Sequence, residues 1–530
     1  MTDNTGNHFS HIKKLTQIGA ALSSEKNLDR LLEMIVDGAR LLTHADGGTL
    51  YIMSDDESSL QFAIVQTSSL NIQMGGTSEK ITWPPVPLQN SDGAFNYANV
   101  SAYAALSGEV VNIPDVYDAK GFNFEGTRHF DRNTGYRSQS MLVAPMRNHE
   151  NTIIGVLQLI NAQDPSTGKV IPFSPESQSM TESLASQAAV ALTNNRLIHE
   201  LQILLESFIK SIAAAIDEKS PYTGGHVRRV ADLTMTIARR INEIKEGPFA
   251  AVSFNENELE ELRLAAWLHD IGKITTPEHI VDKRSKLETI FNRMELLQMR
   301  FELLRRDHEI EKLRRGPIRE AEAAQDEPLI DEVTFSKDLE ADYQFLLKTN
   351  EGHEAMTEEK LARLKQIAQR EYFAEKQGHP LLNEDELQNL SIRQGTLSFE
   401  ERNIINNHAR VTYKMLSQLP FPKKLRHIAD YAAAHHERMN GTGYPNGLSG
   451  DAISLQSRIL ALADVFEALT AKDRPYKKAT TLSQSMKIIG FMVKDGHIDP
   501  DLFELFEKER IYRDYVRREL LPEQLDQDGI

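Results

Sequence analysis

The spacing of apolar residues changes character partway along the chain, and this change limits the possible folds. Leu28, Leu31, Leu32, Ile35, Val36 and Ala39 recur at intervals of three and four, which predicts an amphipathic helix over Leu28–Leu42. Five segments then read as strands: Gly48–Met53, Leu60–Gln66, Glu109–Ile113, Ser140–Arg147 and Thr152–Asn161. Loops at Trp83–Pro87 and Gly121–Gly135 lie between them. Ser174-Pro175-Glu176 reads as cap and first turn of one long helix over 175–208. From Ser207 onward the spacing is helical, interrupted by turns. The pattern predicts a multidomain chain, with an α+β domain over 28–196 followed by an all-α bundle.

A length of 530 residues suits about two to four domains. The net charge of −17 argues against a protein that coats nucleic acid, because phosphate binding favours a basic surface. A small anionic substrate stays compatible where a metal ion brings positive charge. With no cysteine, disulfides and thiolate ligands are excluded, and any metal must be held by His, Asp and Glu. No apolar run approaches the roughly 18 residues of a membrane span, and the first residues lack an apolar signal core. The expectation is a cytoplasmic protein without membrane insertion.

Residues 1–27 read as a polar segment and a short helix. Met180, Leu184, Ala188, Ala191, Leu192, Leu197, Leu201, Leu204, Leu205 and Phe208 form a stripe that suits a parallel homodimer seam on a connecting helix, 197–220. Residues 287–394 read as an insertion. Its near-heptad spacing (Ile290, Met294, Leu297, Phe301, Leu304, His308) predicts a helical, coiled-coil hairpin within a bundle made of 207–286 and 395–520.

His269-Asp270 ends an apolar helical run, Leu262–Leu268. Alone, such a pair is weak. The helical region also supplies His226 in a first turn, His408, the pair His435-His436 and Asp464. A bundle can aim residues on several helices inward. Five His and two Asp suit two divalent ions of octahedral preference, Fe or Mn, with Asp270 as a bridge; Zn, Ni or Co are also admitted. A binuclear pair can bind a phosphodiester oxygen and lower the pKa of water.

The first part resembles the GAF domain family. The resemblance rests on Gly108–Asp115, Ser140–Met146 and Ile154–Asn161. Of the Asn-Lys…Phe…Asp-Glu pattern of cyclic-nucleotide-binding members, Asn161 and Phe173 match, whereas Ala162 and Pro175-Glu176 do not. A small ligand and a ligand-free dimerisation module are both open. The second part resembles the HD-GYP family of HD-domain phosphohydrolases. This rests on Tyr222–His226, Leu268–Lys273, Leu397–His408, His435–Pro445, Ala463–Thr470 and Asp473–Tyr476.

The resemblance implies hydrolysis of cyclic di-GMP, a bacterial second messenger, to pGpG and in some members to GMP. It implies that His226, His269, Asp270, His408, His435, His436 and Asp464 are metal ligands and that Lys273 sits near the scissile phosphate. It also implies that Gly443, Tyr444 and Pro445 shape the substrate cavity; for Arg474 a phosphate contact and a role in structuring Asp473 are both open. The mechanism implied is in-line attack by metal-activated hydroxide. Ser220 and Tyr222 depart from many members; Tyr222 stands where a third-metal Glu occurs, which favours two metals. The alternatives are a non-catalytic effector that binds a dinucleotide or protein, and a phosphodiesterase for another cyclic dinucleotide.

Overall fold

The computed structural model describes residues 3–219, 225–323, 332–374, 377–472 and 480–526. The chain divides into two compact units, Met1–Leu205 and Glu206–Ile530.

In the first unit, helices α1 (Asp3–Ser24) and α2 (Leu28–Thr43) precede a sheet. Its main strands are β1 (Ala45–Met53), β2 (Ser59–Thr67) and β3 (Ile72–Gly75), with β4 (Val86–Pro87) paired to β2. After α3 (Val100–Ser107) come β5 (Val111–Ile113), α4 (Glu125–Thr134), β6 (Met141–Arg147), β7 (Ile153–Gln163) and β8 (Val170–Ile171). The order across the sheet is β3-β2-β1-β7-β6-β5, every pair antiparallel. Helix α5 (Pro175–Lys219) follows. Side chains alternate between the sheet's faces, which builds two cores. Leu50, Leu142, Ala144, Leu157 and Leu159 pack with α2 and the first part of α5; Tyr51, Met141, Val143 and Val156 pack with α3 on the other face.

The Gly121–Gly135 segment, expected as a loop, contains α4. The helix escapes the apolar pattern because its buried residue is Asp131, whose carboxylate accepts from the Tyr117 hydroxyl and from Ser138. Asn161 and Phe173 serve the fold. The Asn161 amide donates to the Arg137 carbonyl and accepts from the Gln139 N–H, while Phe173 is buried in the core. The apolar stripe on α5 has two fates. Leu184, Ala188, Ala191 and Leu192 are buried in the first unit, whereas Leu197, Leu201, Leu204 and Phe208 are 45–65% exposed.

The second unit is predominantly helical. α6 (His226–Glu243) and α7 (Glu256–Leu268) lead to a 3-10 turn, Ile271–Thr275, and the short α8 (Glu278–Val281). Next come α9 (Met294–Ala323), α10 (Glu332–Glu351), α11 (Glu358–Ala368), the paired strands β9 (Glu371–Ala374) and β10 (Gln377–Pro380), and α12 (Glu384–Leu390). The chain finishes through α13 (Phe399–Leu416), α14 (Ile428–Ala433), α15 (Leu455–Thr470), α16 (Leu482–Lys494), α17 (Pro500–Lys508) and α18 (Arg513–Glu519).

The insertion is more than the expected hairpin. Leu297, Phe301, Leu339, Leu346, Leu364, Ile367, Leu381 and Leu390 make a core of its own, to which α11, the β9–β10 pair and α12 contribute beside the two long helices. Ile290, expected on the helical seam, precedes α9 and is 91% exposed. The insertion's ends meet. Lys286 and Leu287 donate their N–H groups to the carbonyl and side chain of Asn350. The buried Lys283 ammonium bonds both Glu401 carboxylate oxygens at 2.8 Å and reaches Asn389 at 3.3 Å. Glu401 is also the third residue of the capping box that opens α13.

Helix α7 is apolar on two sides. Leu262 and Ala266 pack into a core with α6 and α15; Leu264, Ala265 and Leu268 pack into another with Leu416 of α13 and Ile428 of α14. The end of α7 is thereby carried into the bundle interior. The turn beyond it lies tightly on α13. The Thr412 hydroxyl accepts from the Gly272 N–H and donates to the His269 carbonyl, both at 3.0 Å. A Cβ on Gly272 would stand 2.0 Å from the His408 carbonyl oxygen. Gly272→Ala must therefore push the turn away from α13. The expected loss is about 1–3 kcal/mol, typical of overpacking, read as a lower urea midpoint at unchanged slope.

Candidate metal centre

Each donor singled out in the sequence, among the described residues, arrives from a helix or its end. His226 is the first residue of α6, His269 caps α7 and Asp270 follows it. His408 lies within α13 and Asp464 within α15. The stretch Leu425–His436 is not one continuous helix. A 3-10 turn at Lys423–Leu425 precedes α14, and the chain tightens into another at Ala434–His436. That turn sets the His435 and His436 rings side by side, with centroids 4.0 Å apart.

Three sets of donors lie close enough to share an ion: His226, His269 and Asp464; His408, His435 and His436; and, joining these two, His269, Asp270 and His435. Asp270 lies between the first two. Its Oδ2 is 3.6 Å from His226 Nε2 and 3.3 Å from His269 Nε2. Its Oδ1 is 3.4 Å from His408 Nε2 and 4.0 Å from His435 Nε2. Asp464 Oδ1 is 3.3 Å from His226 Nε2.

The hydrogen bonds test whether this set suits a cation. Nδ1 of His269, His408 and His435 meets the carbonyl three residues earlier, of Ala266, Ile405 and Ala432, at 2.8, 2.6 and 2.6 Å. A carbonyl only accepts, so each Nδ1 donates, which leaves Nε2 as the nitrogen able to present a lone pair. Those three Nε2 atoms and Asp270 Oδ1 are buried without a hydrogen-bond partner. An unsatisfied buried polar atom costs about 1–3 kcal/mol, so four converging ones call for a ligand. The set is all nitrogen and oxygen, and it fits divalent metal.

The charges agree. Burial pushes the imidazoles of His408 and His435 down and that of His436 down to about 3, keeping them neutral. Burial would raise the Asp270 carboxyl, but the Lys273 ammonium beside it outweighs this and helps hold it well below the usual range. Lys273 Nζ donates to Asp270 Oδ2 at 2.6 Å, and its side chain is 28% exposed.

The Gly441–Pro445 loop folds back on this group. Tyr444 N–H donates to the His436 carbonyl at 3.2 Å, and the two rings lie 4.8 Å apart. A Cβ on Gly443 would stand 2.5 Å from Arg438 N and Glu437 Cα, so this approach requires glycine. Pro445 follows a cis peptide bond. Buried Glu437 pins the loop by accepting from Asn446 and Leu448 N–H groups at 2.7 and 2.9 Å. Arg474, Ser220 and Tyr222 lie outside the described residues.

Sequence reasoning passed over four residues that hold the site: Thr412, Glu437, Glu467 and Arg229. Glu467 accepts from Arg229 Nε at 2.7 Å and pairs with His226 Nδ1. Their signals were spacing: Thr412 one turn after His408, Glu467 one turn after Asp464, and Glu437 adjoining the His pair.

The neutral histidines make the metal-free protein acid-sensitive. The folded His436 pKa of about 3 lies below an unfolded value of about 6.5, so the unfolded chain takes up protons first as pH falls. Its contribution is full above pH 6.5 and is lost as pH falls toward 3. Urea midpoints of metal-stripped protein should fall between pH 6.5 and 5. His436→Asn should remove about 2 kcal/mol of that decline.

Comparison with known proteins places both units. A GAF domain model matches residues 27–192, and two HD domain models match 223–368 and 384–502. The chain is 26% identical to 3'3'-cGAMP-specific phosphodiesterase 3 of Vibrio cholerae serotype O1, over 57% of this chain and 39% of that protein. It is 42% identical to a cyclic di-GMP phosphodiesterase response regulator of Xanthomonas campestris pv. campestris, over 18% of this chain and 25% of that protein. It is 35% identical to a cyclic di-GMP phosphodiesterase of Thermotoga maritima, over 24% of this chain and 34% of that protein. The chain thus spans about two fifths or less of the length of these relatives. The three matches place a GAF domain ahead of an HD-domain region, and it is in that HD region that the histidine, aspartate and Gly-Tyr-Pro segments come together.

Proposed function

We propose that the second unit is a metal-dependent phosphodiesterase that hydrolyses cyclic di-GMP to pGpG, and onward to GMP if it also cleaves the linear product, under control of the GAF domain. The observation that carries this reading is Asp270, whose two carboxylate oxygens face different histidine groups. In this reading His226, His269, Asp464 and one Asp270 oxygen hold one divalent ion, and His408, His435, His436 and the other oxygen hold a second. Fe or Mn suits such a set, with Zn, Ni or Co as substitutes. Bound ions supply Lewis acidity, which activates water and offsets phosphodiester charge. In-line attack then leaves a 5′-phosphate and a free 3′-hydroxyl.

The chain's own residues position the ester. Lys273 brings a mobile positive charge that can pass from Asp270 to a phosphate oxygen. Burial raises the Tyr444 phenol, so it meets the substrate as a hydrogen-bond donor. Gly443 and Pro445 hold that ring against His436.

The names of relatives support a second reading with the same chemistry, cleavage of the mixed dinucleotide 3'3'-cGAMP. A non-catalytic effector is disfavoured by the full donor set and Lys273.

Among the described residues no helix is long and apolar enough to cross a membrane. The protein is proposed to act in the cytoplasm as a homodimer through its GAF domain and the exposed stretch of α5. The GAF domain takes a small ligand or none, and no nucleic-acid polymer or membrane is a partner.

Mn- or Fe-loaded protein should turn over cyclic di-GMP in a chromatographic product assay. Asp270→Ala should abolish both turnover and metal loading. Lys273→Ala should keep its metal and lose about 100- to 1,000-fold in kcat. Tight binding without turnover would sink the enzyme reading; faster turnover of 3'3'-cGAMP in competition would replace the substrate. Leu201→Glu combined with Leu204→Glu should convert a dimer to a monomer by light scattering.

A further inference from the structure

The four histidines whose Nδ1 partners are described above are not held alike. Those of α7, α13 and the turn after α14 give Nδ1–H to the carbonyl three residues earlier. His226 opens its helix, so no preceding helical turn offers it a carbonyl. Its Nδ1 instead meets a carboxylate, Glu467 Oε2, at 2.5 Å. Glu467 is fully buried, and its other oxygen accepts from the Nε of buried Arg229 at 2.7 Å. Arg229 lies on α6, three residues after His226; Glu467 lies on α15, three residues after Asp464. Two turns of two helices thus hold both a pair of donors and the ion pair behind them.

We infer that Glu467, fixed by Arg229, is the positioning residue for the metal site of His226, His269 and Asp464. An Nδ1–H donated to a carboxylate leaves Nε2 as the nitrogen that would face an ion, sets the ring plane and makes the imidazole a stronger donor than a carbonyl partner would. The histidine group on the far side of Asp270 has no described carboxylate in this role. The two sites therefore differ in how the protein tunes them, and Glu467 selectively strengthens the first. This inference rests on the two-metal reading proposed above. Removal of such an outer carboxylate typically weakens metal affinity about 10- to 100-fold.

The test is Mn2+ titration of metal-stripped full-length protein, followed by calorimetry and by electron paramagnetic resonance. Wild type is expected to bind two Mn2+ per chain with the resonance of a coupled pair. Glu467→Gln, which keeps the shape and removes the charge, is expected to weaken one Mn2+ at least 10-fold, leave the other unchanged and give an uncoupled Mn2+ signal. Glu467→Asp, which keeps the charge, is expected to recover part of that affinity. Two wild-type affinities in Glu467→Gln would overturn the inference while leaving the two-metal reading intact. Equal weakening of both ions together with a lowered metal-free melting temperature would also overturn it, because that is the pattern of a structural role. Failure of wild type to bind Mn2+ would overturn the reading and the inference together.

Discussion

A buried carboxylate sits at the centre of the second unit, and the surrounding helices are arranged to keep it charged. Asp270 lies almost out of solvent, where an anion is costly unless it is compensated. Compensation comes from Lys273 one turn on and from the raised imidazole of His226 on α6. His226 could not reach Asp270 if α7 were an ordinary surface helix. Because α7 packs apolar side chains on two sides, its end must lie inside. The geometry of the donor groups follows from that packing.

The donors' orientation is set by backbone more than by side chains. An imidazole that gives Nδ1–H to the carbonyl three residues earlier is held by the helix that carries it, so precision in the helix becomes precision at Nε2. The Thr412 hydroxyl adds a cross-link between the segments of His269 and His408, and the lack of a Cβ at Gly272 lets them touch. Where the backbone cannot help, at the start of α6, side chains take over. The Gly441–Pro445 loop has a similar logic: Glu437, beside two histidines of the set, spends its carboxylate on loop amides.

Periodicity alone made the division into an α+β part and a helical part legible, and the spacing of His226, His269-Asp270, His408, His435-His436 and Asp464 marked the residues that converge. What stayed hidden has common physical causes. Helix α4 buries an aspartate in place of apolar side chains, so no stripe announces it. The insertion's heptads are real through α9, but its core is closed by Leu364, Ile367 and Leu381 from short elements whose spacing is too brief to read. Glu467, Arg229 and Glu437 are charged residues on elements with many charged residues. Only their burial and partners distinguish them, and those are tertiary facts. The stripe on α5 was visible as one feature, yet its first half belongs to the core beside the sheet and only its second half meets solvent.

The contacts between the two ends of the 287–394 stretch bear on how His269 and His408, far apart in sequence, come together. Asn350 receives both N–H groups where the chain leaves, and Lys283 grips Glu401 where it returns. The detour therefore closes at the first turn of α13. The excursion does not hold His269 and His408 apart, and the entropy of closing that long loop is met by the excursion's own folded core. In this respect the stretch behaves as a bead threaded on the chain, with the carboxylate and histidines on either side of it brought together.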